Sequence, residues 1–91
     1  IDELYVLDVR SPGEFEGELG HLEGAHLIPL EELRERLNES PRERPVVALC
    51  QSGKRSAMAV EILLRAEYPR VANVSGGLIQ WSRLALPFRA C

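Results

Sequence analysis

Short, almost unbroken apolar runs alternate along the chain with segments of helical periodicity. Residues 4–9, 46–49 and 71–74 form such runs, and residues 25–28 form a briefer one. Runs of this kind are typical of strands that are buried on both faces, as in a parallel sheet. The alternation predicts an α/β fold with a mostly parallel sheet and right-handed connections.

Four segments between and after these runs are expected to be helical. A short helix opens at Pro12, because proline is favoured in the first helical turn. A longer helix begins at Pro29, after which leucines recur at helical spacing with charged residues between them. Residues 56–67 are apolar on most sides, so this helix is expected to be largely covered. A last helix is expected over residues 78–84.

The size and composition of the chain fit one soluble globular domain. Of its 91 residues, 45% are hydrophobic and 27% are charged, and we expect a single domain over residues 1–91. Because the sequence opens almost directly into a strand and without methionine, we expect that an N-terminal element has been removed. No apolar run approaches the roughly 18 residues of a membrane span, and no signal peptide is visible. A cytoplasmic protein that does not bind membranes is therefore expected.

The cysteines and histidines limit the chemistry further. Cys50 and Cys91 are too few for a disulfide framework, which favours a reducing compartment. His21 and His26 lie far from both cysteines in the sequence, so the spacing of a metal site is missing. Neither a metal ion nor another cofactor is expected.

The net charge of −3 is divided unevenly along the chain. Residues 1–45 carry 12 acidic and 5 basic side chains, whereas residues 46–91 carry 2 acidic and 6 basic ones. A mildly acidic protein with few aromatic residues is poorly suited to nucleic acid. The basic second half is suited to a small anion.

Cys50 directly follows the run 46–49 and precedes a helix, where ligands bind in open α/β sheets. The start of that helix offers unpaired N–H groups and a positive dipole end, and Lys54 and Arg55 add two cations. Gly53 permits a tight loop that turns several N–H groups toward one point. These features favour a thiolate and also an anion site. The spacing alone leaves open that Cys50 is a buried structural cysteine in an ordinary loop.

Several motifs, taken in order, resemble those of a rhodanese domain. They are Asp8-Val9-Arg10, Glu14-Phe15, GHLEGA at residues 20–25, LIPL at residues 27–30, the loop CQSGKRS at residues 50–56, and Gly76-Gly77-Leu78 with Trp81 and Leu86-Pro87. The resemblance extends from about residue 4 to residue 87, which is nearly the whole chain. The chain departs from the family pattern in two places: the spacing between Phe15 and Gly20 is longer, and Ala85 stands where glycine is common. Neither departure lies in the loop of residues 50–56.

The resemblance implies a rhodanese-like α/β fold, with helices on both faces of a mostly parallel sheet, and the activity of a thiosulfate sulfurtransferase. Cys50 is then the catalytic nucleophile: it takes a sulfane sulfur from thiosulfate or another persulfide donor and passes it to a thiol or cyanide. Asp8 and Arg10 are expected to support the site structurally. The implied partners are a small anionic sulfur donor and a thiol acceptor or sulfur-relay protein. The implied substrate-binding loop consists of Gln51, Ser52, Gly53, Lys54, Arg55 and Ser56.

Three alternative functions remain open at this point. Related phosphatases of the same fold, and arsenate reductases, are the first. Those phosphatases have one residue more between cysteine and arginine, whereas four residues separate Cys50 from Arg55, which favours sulfur transfer. A sulfur-relay carrier shares the persulfide chemistry and differs in its partners. A non-catalytic binding module typically lacks the cysteine that this chain has.

Overall fold

The structure is a computed structural model that describes residues 4–74 and 76–77. The sequence-predicted helix over residues 78–84, with Trp81, lies outside the described residues. In chain order the elements are β1 (Tyr5–Asp8), α1 (Pro12–Phe15), β2 (His26–Leu27), two 3₁₀ helices (Leu30–Glu32 and Arg34–Glu39), β3 (Val46–Leu49), α2 (Lys54–Arg65) and β4 (Val71–Asn73).

The four described strands form one parallel sheet in the order β2-β1-β3-β4. Leu7 of β1 lies opposite His26 of β2 and Ala48 of β3. Since all four strands run the same way, their carboxyl ends meet at one edge of the sheet, where ligands bind in this class of fold. The α/β class with a parallel sheet is confirmed, and each predicted strand is present to within two residues at either end.

The two faces of the sheet bury different clusters. On one face, Val46 and Ala48 of β3 pack with Ala59 and Leu63 of α2, all with no exposed surface. On the other face, Leu49 packs with Leu22 and with the partly buried side chains of Val6, Leu19, Ala25 and Val74. The apolar contact between β3 and α2 holds the loop that joins them.

The helix expected after Pro29 is a pair of 3₁₀ helices. Arg36 breaks the regular geometry with φ −118° and ψ 22°. The Tyr68 hydroxyl lies 2.6 Å from the carbonyl oxygens of both Leu37 and Ser40, so tertiary contacts satisfy the end of this segment. The prediction of an α-helix was wrong, but the prediction of the buried side was right, because Leu33 is fully buried.

Helix α2 differs from its prediction in two ways. It begins at Lys54, two residues earlier than expected, because Gly53 has a left-handed conformation and caps it. It is also less covered than expected, since Met58 and Leu64 are 56% and 54% exposed. The prediction counted the apolar residues on every side of the helix, but the helix packs on the sheet with one side only, so its outer apolar side chains stay exposed. Within residues 4–74 and 76–77, no helix has the length and apolar character to cross a membrane.

Candidate active site

The loop between β3 and α2 folds around the sulfur of Cys50. Gly53 has φ 103°, a conformation that glycine adopts without the penalty of a side chain. This turn places the Gly53 backbone nitrogen 3.0 Å from Cys50 Sγ, and the Ser56 backbone nitrogen lies 3.3 Å from the same atom. The N–H groups expected to hold an anion therefore point at the sulfur itself.

The thiol of Cys50 is fully buried, yet its surroundings favour the thiolate. Burial by itself raises the pKa of this thiol. The Ser56 hydroxyl and the backbone N–H groups of Ser56, Gly53 and Ser52 outweigh burial and hold the pKa below its usual value. A cysteine with a purely structural role has no need of such donors, so the arrangement is typical of a nucleophile.

The Ser56 hydroxyl has three neighbours and only one proton. Its Oγ lies 3.4 Å from Cys50 Sγ and 3.2 Å from the Gly53 carbonyl oxygen, and it also contacts Oδ1 of Asn73. Asn73 ends β4, and its Nδ2 lies 3.4 Å from the same Gly53 oxygen. Asn73 thus competes with the sulfur for the proton of Ser56.

Both terminal nitrogens of Arg55 are paired with Glu14 of α1. These two nitrogens each donate to one carboxylate oxygen, both at 2.7 Å. The hydrogen bonds from Arg55 are the main cause that lowers the pKa of Glu14 to about 2. The pKa of Arg55 is raised, first by the hydrogen bonds to Glu14 and in smaller part by the nearby charges of Cys50 and Asp8.

Asp8 and Arg10 form a buried ion pair that supports this arrangement. Nη2 of Arg10 lies 2.8 Å from Oδ2 of Asp8, and the two side chains are 1% and 0% exposed. Arg10 also donates to the carbonyl oxygens of Glu14 and Gly20. The pair therefore ties the end of β1 to α1, which carries the partner of Arg55.

Gly77 lies against the backbone of the loop. Its φ is 61°, and a Cβ atom at this position would lie 2.4 Å from the carbonyl oxygen of Cys50 and 2.5 Å from that of Gln51. Only a residue without a side chain allows this approach. The sequence motif had marked Gly77 as part of a closing pattern without indicating this contact.

The remaining loop residues surround the site without contacting the sulfur through their side chains. Gln51 is half-buried and borders a shallow depression with Arg10, Glu14, Gly17, Glu18 and Leu19. Ser52 is exposed, and its backbone N–H contributes to the low pKa of the Cys50 thiol. Lys54 is exposed in the first turn of α2.

The sequence analysis did not single out Glu14 or Asn73 as site residues. A signal for Glu14 was present, because Ser11 and Glu14 have the spacing of a capping box. The structure forms that box: the Ser11 N–H donates to Glu14 Oε1 at 3.0 Å, and the Glu14 N–H donates to the Ser11 hydroxyl at 3.2 Å. Among the described residues, no cluster of three or more histidine, cysteine or acidic side chains could hold a metal ion.

Comparison with known proteins shows the family of the chain. The model of the rhodanese-like domain matches residues 1–84. The chain belongs to the rhodanese-like domain family. A sulfurtransferase of Allochromatium vinosum is 36% identical over 89 residues, which cover 98% of this chain and 81% of that protein. The uncharacterized protein YqhL of Bacillus subtilis is 41% identical over 76 residues, which cover 84% of this chain and 59% of that protein.

The rhodanese-like fold is also found among solved structures. The rhodanese-related protein of Thermoplasma volcanium superposes with a TM-score of 0.87 at 34% identity, over 97% of this chain and 85% of that one. The family and the fold expected from the sequence motifs are therefore confirmed. The chain spans about 59% of the length of YqhL.

Proposed function

We propose that this rhodanese-like domain is a sulfurtransferase that carries sulfur as a persulfide on Cys50. The observation that carries the proposal is the ring of donors around Cys50 Sγ, in which the N–H groups of Gly53 and Ser56 lie 3.0 and 3.3 Å away. The similarity to a protein named as a sulfurtransferase supports the same reaction class.

The first half-reaction forms the persulfide. The Cys50 thiolate attacks the outer sulfur of a donor such as thiosulfate and forms a new S–S bond. The S–S bond of thiosulfate breaks, and its electron pair leaves with sulfite. A histidine base is not required, because the loop already favours the thiolate.

The second half-reaction returns the enzyme to its starting state. An acceptor thiolate or cyanide attacks the outer sulfur of the Cys50 persulfide. The persulfide S–S bond breaks, its electron pair restores the Cys50 thiolate, and the product is a new persulfide or thiocyanate. The loop N–H groups suit both forms of the enzyme, since each places negative charge on sulfur beside fixed donors.

The substrate and partner are part of the same proposal. The donor is thiosulfate or another sulfane-sulfur compound, and the acceptor is a thiol that a relay protein could carry. We also propose that the loop residues 51–56 bind the substrate and that Asp8 and Arg10 support this loop structurally. A reducing compartment such as the cytoplasm suits the reaction, because it keeps Cys50 a thiol between turnovers.

Intact mass spectrometry tests the persulfide directly. The wild-type protein and Cys50→Ser are incubated with thiosulfate and, separately, with a small persulfide. A gain of about 32 Da on the wild type alone is expected for one bound sulfur. If neither donor adds sulfur to the wild type, the proposal is wrong.

The phosphatase alternative has its own test. Hydrolysis of an aryl phosphate by the wild type, lost in Cys50→Ser, would favour that reaction. We expect no such hydrolysis, because only four residues separate Cys50 from Arg55, one fewer than in the related phosphatases. A carrier would accept sulfur on Cys50 but release it to one protein partner and not to small thiols.

A further inference from the structure

The ion pair between Arg55 and Glu14 has a consequence for which sulfur donors the site accepts. We infer that Glu14 acts as a charge filter, which occupies the guanidinium of Arg55 and so disfavours dianionic donors such as thiosulfate relative to alkyl persulfides of low net charge. This inference rests on the proposed sulfurtransferase function and names the donor class of the same site.

The geometry leaves little of Arg55 for another anion. A guanidinium binds a carboxylate or a sulfonate best through two parallel N–H donors. In this structure both terminal nitrogens of Arg55 already form 2.7 Å hydrogen bonds to the two oxygens of Glu14. A thiosulfate that used the same two donors would have to displace the carboxylate.

Glu14 is held in place from two further directions. The Ser11 N–H donates to its carboxylate, and the buried Arg10 donates to its carbonyl oxygen at 3.1 Å. Arg10 in turn is fixed by the buried carboxylate of Asp8. The Arg10 contact fixes the backbone that carries Glu14, and turning the carboxylate away from Arg55 would break its hydrogen bond with the Ser11 N–H.

The local charges give the same result. The cation of Arg55 faces the anion of Glu14, and Lys54 is exposed at the first turn of α2. With Cys50 as a thiolate, these four side chains sum to no net charge. A dianion therefore approaches a reactive thiolate without a surplus of positive charge, whereas a persulfide of low net charge meets no such penalty.

The first test measures dianion binding without catalysis. Sulfate is titrated into the ¹⁵N-labelled protein, and the backbone amide signals of Gly53 and Ser56 report binding at the loop. We expect Glu14→Gln to bind sulfate about fivefold more tightly than the wild type, the scale of one partly exposed charge pair. The matched control is Glu18→Gln, which removes one negative charge from the same depression and has no ion pair with Arg55 in the structure. It is expected to change sulfate affinity by less than about twofold, because Glu18 is exposed and its charge is screened by solvent.

The second test compares two donors. Thiosulfate and cysteamine persulfide, whose ammonium group balances its sulfur charge, are assayed with cyanide as acceptor. With either donor the outer sulfur moves to Cys50, and sulfite or cysteamine leaves. We expect Glu14→Gln to raise kcat/KM for thiosulfate about fivefold and to change that for cysteamine persulfide by less than about twofold.

The outcomes separate this inference from the function on which it rests. If Cys50 gains sulfur but Glu14→Gln changes neither sulfate affinity nor the donor ratio, the charge filter is wrong and the sulfurtransferase stands. If no donor adds sulfur to Cys50, the proposed sulfurtransferase function is wrong, whatever the sulfate affinities are. Should Glu14→Gln not fold, the wild type decides: a dissociation constant for sulfate well below about 1 mM at the loop would overturn the filter.

Discussion

The backbone N–H of Gly53 donates to the sulfur of Cys50 across 3.0 Å, from only three positions further along the chain. Because this donor belongs to the backbone, no side-chain substitution removes it while the turn persists. The loop thus lowers the pKa of the Cys50 thiol even though burial acts in the opposite direction. Stabilisation of the thiolate is therefore a property of how the loop folds at Gly53.

The pH at which Cys50 ionises is the first prediction. Since its pKa is lowered in the folded state, the thiolate is expected to form at a lower pH than in the same protein unfolded in urea. The ultraviolet absorbance of the thiolate measures this in a Cys91→Ser background, with Cys50→Ser as the blank. An ionisation at the same pH in the folded and unfolded protein would contradict the donor arrangement.

Ser56 and Asn73 are expected to move that ionisation in opposite directions. Ser56→Ala removes a hydroxyl that can donate to the thiolate, so the pKa of Cys50 should rise. Asn73→Ala removes a competitor for the Ser56 proton, so the pKa should fall. Each substitution should change the free energy of ionisation of Cys50 by roughly the value of one hydrogen bond, about 0.5–1.5 kcal/mol. The same absorbance titration measures both variants, and a shift of the same sign in both would exclude competition for the proton.

The sequence predicts the parts of this site that are local. Short apolar runs locate the strands, and the residues after residue 49 locate the proposed nucleophile and its turn, because both signals lie within a few consecutive residues. The Arg55–Glu14 pair joins residues 41 positions apart, and the Ser56–Asn73 contact joins residues 17 apart. Contacts of this kind depend on how the strands are ordered in the sheet, which periodicity does not specify.

The buried ion pair of Asp8 and Arg10 should contribute more to the free energy of unfolding than an exposed ion pair does. Asp8→Ala leaves the guanidinium of Arg10 buried without its carboxylate, which typically costs about 3–5 kcal/mol. Urea denaturation measures the change in the free energy of unfolding. Glu61→Gln is the control, because its partner Arg65 is exposed and such pairs contribute about 0.5 kcal/mol or less. Equal losses in the two variants would contradict the structural role of the buried pair.

The ion pair of Glu14 with Arg55 should respond to acid in a defined range. Because the pKa of Glu14 is lowered to about 2 in the folded state, its contribution to stability is fully present above the ordinary value of 4.5. That contribution should decrease as the pH falls from 4.5 toward about 2. The difference in unfolding free energy between the wild type and Glu14→Gln, measured by urea denaturation across this range, is expected to shrink toward low pH. A difference that stays constant would show that the charge of Glu14 contributes nothing to folding.

Gly77→Ala should disturb the loop around Cys50 far more than the positive φ of Gly77 alone explains. Its new Cβ would lie 2.4 Å from the carbonyl oxygen of Cys50, so either the loop or the chain at Gly77 must move. Gly24→Ala is the matched control, because Gly24 also has a positive φ, of 85°, but nothing lies within 4 Å of its Cβ position. The control should lose only the free energy that a left-handed alanine costs, about 1–2 kcal/mol of unfolding free energy.

Gly77→Ala should lose more unfolding free energy than this control. It should also raise the pKa of the Cys50 thiol, because the turn at Gly53 is disturbed. Urea denaturation and the thiolate titration measure the two effects, and equal behaviour of the two variants would show that the contact between Gly77 and the loop is unimportant.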